Sequence, residues 1–418
     1  MKLFNISGLF HPLFSANKLF TGLRTFGMVS AVFIFLFGIT GCETPEKVLK
    51  SNDVNYKKAK AIFWYNKKEY YKCIPVFEEL IGLMKGRESV EDLYYMYCMA
   101  NYQQGDYLIS AYHFKNFYDQ YPNSEKAEEC LYMYAKSNER ESPKPDLDQT
   151  ATYKAIDAYQ FFLNMFPASN YVPESNTAMR NLRRKLEKKA LNNAELYYRT
   201  ENYKAAATTF ENLLVDFPDI EENERISFMI VKSNYLFAEN SVPQRKAERY
   251  KHVIESYNDF KYKFASSKYI EESSKYESRS HYLAVKSAYE WAEISPLNER
   301  ENHFRVAFAE ADAQKPVLTD PDQLKDLEIW REKGFFLIIK GYFLMSEISK
   351  ESQKMGALQQ TLKSYYTFVD LFPKSKYSKE AEKMFKQASE QIQRIKDGLA
   401  QPKEESEKRN KKKQNSNG

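Results

Sequence analysis

From about residue 54 onward the chain repeats one pattern: apolar residues return every three or four positions, the period of a single helical face, and each such stretch ends in a short break. No Asn-Gly or Asp-Gly pair joins two alternating apolar runs, so strand hairpins are not signalled. Four breaks share one form: Tyr121-Pro122-Asn123-Ser124, Phe166-Pro167-Ala168-Ser169, Phe264-Ala265-Ser266-Ser267 and Phe372-Pro373-Lys374-Ser375. In the last three a tyrosine and then a glutamate follow, as in Ser169-Asn170-Tyr171 with Glu174. A fifth break, Phe217-Pro218, lacks the serine. Proline cannot continue a helix and serine is a favoured N-cap, so each break is expected to close one helix and open the next.

Counting back from Pro218 gives Phe210 at 8, Ala206 at 12, Tyr203 at 15 and Ala194 at 24 residues' distance. The same offsets from Pro122 give Phe114, Ser110, Tyr107 and Cys98, and from Lys85 they give Phe77, Cys73, Tyr70 and Ala61. Small residues recur where two helices must approach, and aromatics recur where a knob is wanted. The spacing resembles the tetratricopeptide repeat of about 34 residues. The resulting expectation is an all-α solenoid of stacked tetratricopeptide-like helical hairpins, about six repeats. Residues 54–283 read as the repeat domain and 284–400 as an additional helical region whose repeats cannot be placed, with a last copy starting at Gly334. The run "GFFLIIKGYFLMSEI" holds Lys340 and is shorter than a membrane span, so it reads as a buried helix.

The N-terminus carries a different pattern. Residues 1–41 hold Lys2, Lys18 and Arg24 and no acid, and Phe26–Ile39 is an apolar run too short for a secure anchor. Basic start, apolar middle and small-residue end make an export signal, with Met1 or Met28 as its start. Ile39-Thr40-Gly41-Cys42 resembles the bacterial lipobox, which implies cleavage before Cys42, acylation of its thiol (palmitate among the chains) and a short lipidated linker, 42–53. An uncleaved anchor with an incidental cysteine is the alternative. One acyl chain binds a membrane only marginally, so stable attachment takes more than one.

Composition narrows the rest. The chain carries 62 basic and 57 acidic residues, and removing residues 1–41 leaves them nearly balanced, which points to no particular polyanion. The tail 401–418 is charged, lacks apolar side chains and reads as a disordered solubilising segment; its Lys411-Lys412-Lys413 run is not taken as a nucleic-acid site. Cys73, Cys98 and Cys130 show no paired spacing and read as core fillers. His11, His113, His252, His281 and His303 are scattered, and no HExxH, GxSxG or phosphate-binding glycine loop is present, so neither an enzyme, a metal site nor a cofactor beyond the Cys42 lipid is expected.

A repeat array offers a face lined by the first helix of each hairpin. In the first copy the face positions are Asn55, Lys58, Ile62, Tyr65 and Asn66; in the second they are Asp92, Tyr95, Met99, Tyr102 and Gln103. Lys58, Ile62, Tyr65, Tyr95, Met99, Tyr102 and Gln103 form the candidate partner-binding groove, suited to an extended or helical peptide. The competing reading of "YYMYCMANY" is packing between repeats.

A lipobox followed closely by such repeats, with the Ser-x-Tyr-x-x-Glu turn, resembles the BamD family of outer-membrane assembly lipoproteins, from about Val54 to Leu283. The resemblance implies a lipid-anchored scaffold on the periplasmic face of the outer membrane. Its N-terminal repeats would meet unfolded outer-membrane proteins and its later repeats a BamA-like barrel protein. Two other readings stand beside it: a pilotin-like or envelope-division repeat lipoprotein, and a SusD-like carbohydrate-binding lipoprotein. The last is weakened by the scarcity of tryptophan platforms, since only Trp64, Trp291 and Trp330 are present and Trp64 falls at a packing position.

Overall fold

The computed structural model describes residues 44–86 and 90–400. Residues 1–41, expected to be an export signal, Cys42 and the tail 401–418 lie outside the described residues. Within them every regular element is a helix, sixteen in all, and no strand is present. After a short α1 (Pro45–Leu49) the helices run in pairs: α2 (Val54–Asn66) with α3 (Tyr70–Leu83), α4 (Val90–Gln104) with α5 (Tyr107–Gln120), and α6 (Ala127–Glu141) with α7 (Thr150–Met165). The long α8 (Val172–Arg199) pairs with α9 (Tyr203–Asp216), α10 (Asn223–Glu239) with α11 (Pro243–Lys263), and α12 (Ile270–Ile294) with α13 (Arg300–Gln314). The last pair is α14 (Pro321–Ile348) with α15 (Glu351–Leu371), and α16 (Ser378–Ala400) follows alone.

The chain folds as two compact units. The first comprises the residues up to Pro143 with Asp148–Leu182 and has one continuous core, from Val48 through Phe77, Phe114 and Phe162 to Leu182. The second comprises Lys144–Leu147 and the residues from Arg183. Its core is a succession of four local clusters, the first centred on Phe210 and the last on Phe368. Within this unit each helix packs on the next, and the first helices also pack on one another: α10 on α12, α12 on α14, α14 on α16. That alternation is the contact pattern of a helical-repeat array, in which each pair buries its apolar face only against its neighbours.

The offsets read from the prolines hold. Ala61, Cys73, Phe77, Cys98, Ser110, Phe114, Ala194, Ala206 and Phe210 are all fully buried, the small ones where two helix axes approach. The pairs number seven among the described residues, one beyond the about six that the turns predict. The extra pair lies in the sector that resisted placement, because the break after α13, Lys315–Asp320, lacks the recurring motif. Residue 283 lies inside α12, which continues to Ile294.

Two expectations are corrected. The last pair begins at Pro321, not at Gly334, which sits within α14. A Cβ there would lie 2.9 Å from the rings of Phe304 and Phe308, so that glycine serves close packing rather than a helix end. The recurring serines are not N-caps either. Ser169, Ser267 and Ser375 each accept, through Oγ, the backbone N–H of the tyrosine two residues on, at 3.0 Å, and the helix starts after that tyrosine. They close a one-turn link between helices, a local alternative to helix that serine side chains favour. Helix closure itself is uniform: Tyr121, Phe166, Phe217, Phe264 and Phe372 all have φ between −128° and −133°. A following proline imposes such an angle, and Phe264 reaches it without one.

Candidate partner-binding face

The seven residues singled out as a groove lie on two helices of the first unit. On α2, Lys58, Ile62 and Tyr65 are half-buried; on α4, Tyr95, Met99 and Tyr102 are half-buried and Gln103 is exposed. Their spacing of three and four places each set on one helical face. The apolar five also pack against the core of this unit.

The tyrosines are held in place. Tyr65 meets Tyr70 edge-on at 5.9 Å and Phe77 at 6.1 Å, and Tyr102 meets Tyr107 edge-on at 5.4 Å. Tyr198 and Tyr203 repeat this contact at 5.7 Å in the fourth pair, so it is a structural feature of the hairpin tips. Tyr95 lies under the Lys126 ammonium, 5.7 Å from its ring centre, and its hydroxyl faces Glu129. Burial raises the phenol pKa of Tyr65, Tyr95 and Tyr102, so all three face the groove as neutral hydroxyls. Packing and exposure therefore coexist at each tyrosine: one edge is locked, the other is accessible.

What distinguishes this face is clearest at one position, the residue after the fully buried Ala61, Cys98, Ala135, Ala194, Val231, Val285 and Ile339. In pairs one to seven that residue is Ile62, Met99, Lys136, Glu195, Lys232, Lys286 and Lys340. It is apolar in the first two and charged in the other five. The charged ones are engaged: Lys136 pairs with Glu174 at 2.9 Å, Lys232 with Glu272 at 3.0 Å and Lys340 with Glu380 at 3.2 Å. Glu195 pairs with Arg225 at 2.6 Å, the same link with its charges exchanged. Lys286 stands 4.0 Å from Glu290 on its own helix.

Beside three of these bridges lies a stacked aromatic pair that sequence reasoning missed. Tyr132 on Tyr171, Phe228 on Tyr269 and Phe336 on Tyr377 are parallel within 10°, with ring centres 4.2, 4.6 and 4.6 Å apart. The signal was present, since the tyrosine and glutamate of the Ser-x-Tyr-x-x-Glu turn are the partners of an aromatic and a lysine on the preceding first helix. In pairs three, five and seven the face is thus spent on joining consecutive first helices. Pairs one and two leave it apolar. Among the described residues no cluster of three or more histidine, cysteine, aspartate or glutamate side chains is arranged to hold a metal ion.

Residues 50–249 match the family profile described as YfiO: outer membrane lipoprotein. A curated protein of Aquifex aeolicus (strain VF5), named as an outer membrane protein assembly factor, BamD, is 26% identical over 262 residues, covering 62% of this chain and 84% of its own. Among solved structures, the TPR2AB domain of yeast Sti1 in complex with pHSP90 aligns over 67% of this chain and 98% of its own, at 10% identity and a TM-score of 0.27. The C-terminal part of a TPR repeat-containing protein from Cytophaga hutchinsonii aligns over 79% and 99%, at 10% identity and a TM-score of 0.20. Scores this low carry no argument about how the helices are arranged.

Proposed function

We propose that this chain, whose residues 50–249 match the family profile described as YfiO: outer membrane lipoprotein, is a scaffold of outer-membrane β-barrel assembly, lipid-anchored through Cys42 on the periplasmic face. In this reading the first two repeats receive unfolded barrel polypeptides and later repeats dock a BamA-type barrel protein. The observation that carries it is the change of the face position from Ile62 and Met99 to a charged residue in every later pair, bridged to the next first helix in pairs three, four, five and seven. An unfolded outer-membrane strand alternates apolar and polar side chains, and an apolar stripe edged by neutral tyrosine hydroxyls suits both. Among the described residues no helix is long and apolar enough to cross a membrane; in this reading attachment comes from acylation of Cys42 in the lipobox-like Ile39-Thr40-Gly41-Cys42.

The test is co-purification through a C-terminal tag combined with depletion. Recovery of a BamA-like barrel protein, with falling levels of folded barrels on depletion, is expected. Unchanged barrel levels with altered pili or division would replace this reading with the envelope-division one. Cys42→Ala protein is expected to leave the membrane fraction; retention through an intact N-terminus would refute the lipid anchor.

A further inference from the structure

In the second unit, α9, α10 and α11 enclose a cleft of about 390 Å³, within the roughly 300–1,000 Å³ of ligand pockets. Leu214 of α9, Ile230 of α10 and Phe260 of α11 give it apolar walls. Its charge is mainly negative: Glu211 enters from α9 and Glu255 and Asp259 from α11, against one lysine, Lys263. Glu255 is met by His252 at 3.1 Å. Glu211 is half-buried and, like the exposed Asp259, has no ion pair or side-chain hydrogen bond among the described residues. A carboxylate held partly out of water beside apolar side chains is costly unless a cation meets it, and here the chain supplies none. Glu211, Glu255 and Asp259 do not converge as ligands of one metal ion, so the cation that suits them is an extended one.

The equivalent cleft two pairs further on shows which. It lies between α13, α14 and α15, again two second helices with the first helix between them. There the carboxylate of Glu301 accepts Arg305 Nε–H at 2.9 Å and the Tyr342 hydroxyl, and Lys363 lines the same cleft from α15. Only about 60 Å³ stays open. The cleft whose carboxylate has a guanidinium of its own is nearly filled, and the one whose carboxylate has none is open. An arginine joins a planar fork that pairs with carboxylates to an apolar stem that lies along apolar surface. Val215, which lines the open cleft, is 78% exposed, and Tyr262, beside Lys263, is 91% exposed. Apolar neighbours of an inserted arginine therefore also find contact.

We propose that this cleft is a second polypeptide-binding site, which takes an arginine side chain of a partner: the stem lies on Leu214, Ile230 and Phe260, and the guanidinium meets Glu211 and Asp259 as Arg305 meets Glu301. The site is independent of the face formed by Ile62 and Met99, and either assignment can fail alone.

Saturation-transfer NMR on the full-length protein tests it, with acetyl-Val-Arg-Val-amide as the probe and the same peptide carrying citrulline, which keeps the shape and loses the charge, as the control. The parent should saturate the arginine side-chain protons and should bind the citrulline peptide about tenfold to a hundredfold more weakly, the weight of a hydrogen bond to a charged group. Glu211→Gln with Asp259→Asn should weaken binding of the arginine peptide by a similar factor, and since neither carboxylate has a partner to lose, the melting temperature should not fall. Val215→Arg, which brings a guanidinium to the cleft from an exposed position, should abolish transfer. Ile62→Lys with Met99→Lys should leave it unchanged. Absence of transfer from the parent, equal binding of the two peptides, or undiminished binding by either folded cleft variant would overturn the site. Loss of transfer in the Ile62 and Met99 variant would overturn its independence.

Discussion

His281 is met by an acceptor at each ring nitrogen. Nδ1 lies 2.5 Å from Gln314 Oε1 and Nε2 lies 2.9 Å from Glu277 Oε1. The orientation of Gln314 is not free, because its Nε2 donates to Glu310 Oε1 at 2.8 Å, and Glu310, only 7% exposed, is paired with Lys251. Reversing the amide would set its oxygen against a buried carboxylate. Both imidazole nitrogens must therefore carry hydrogen, so the ring is a cation bridging α12 to α13, with α11 joined through Lys251. The hydrogen bond to Glu277 raises its pKa above the ordinary histidine value, against burial. A raised folded-state pKa means that the stabilisation is complete below about 6.5, the unfolded value, and fades as pH climbs through the folded value. Denaturant midpoints should accordingly fall as pH rises from about 6 to 8.5, beyond the drift of a His281→Gln variant. That variant should lose about 1.5–3 kcal/mol at the acidic end, the weight of a hydrogen bond to a charged group. Equal pH slopes in parent and variant would remove His281 from the account.

At the scale of elements, two helical glycines predict opposite outcomes. Alanine at Gly334 gains about 1 kcal/mol of helix propensity but brings a Cβ to 2.9 Å from two phenylalanine rings, and overpacking costs about 1–3 kcal/mol. Gly334→Ala should therefore be neutral to destabilising, whereas Gly82→Ala, with open space around it, should gain up to about 1 kcal/mol. Thermal unfolding of the two variants gives the signs directly. The same contrast marks what could be read from the chain. A break such as Phe166-Pro167 acts through local backbone sterics, so it is visible in the sequence, and with the buried Ala61, Cys98 and Ala194 it located the early pairs. Gly334 acts through rings on α13, some thirty residues earlier, and by itself it looks like a helix end. The Lys315–Asp320 break ends α13 without the motif, which hid the sixth pair. Ser169 and Tyr171 were legible as a turn, but the stacking of Tyr171 on Tyr132 depends on how consecutive pairs pack. Along the candidate face, period located Ile62 and Met99; that the later copies carry bridged charges there became meaningful only once Glu195 with Arg225 showed the link surviving an exchange of sign.

For the whole molecule, the decisive question is whether the apolar start of the array is a receptor or only a less decorated copy of the later pairs. The chain supplies its own control. Ile62→Lys with Met99→Lys gives the first two pairs the residue type that pairs three, five, six and seven already carry. Both positions are half-buried, so the fold should tolerate the change and helical content should be unchanged. Burying an apolar side chain contributes about 1.5–3 kcal/mol when complete, so partial loss at two positions should weaken capture of unfolded barrel polypeptides by about tenfold or more. Crosslinking yield to nascent barrels in the envelope measures that loss. Recovery of the barrel partner through the C-terminal tag should stay at parental levels, because that partner is assigned to later repeats. Loss of the barrel partner with substrate capture intact would reverse the assignment of the two ends, and undiminished capture of both would mean that the apolar stripe is only packing.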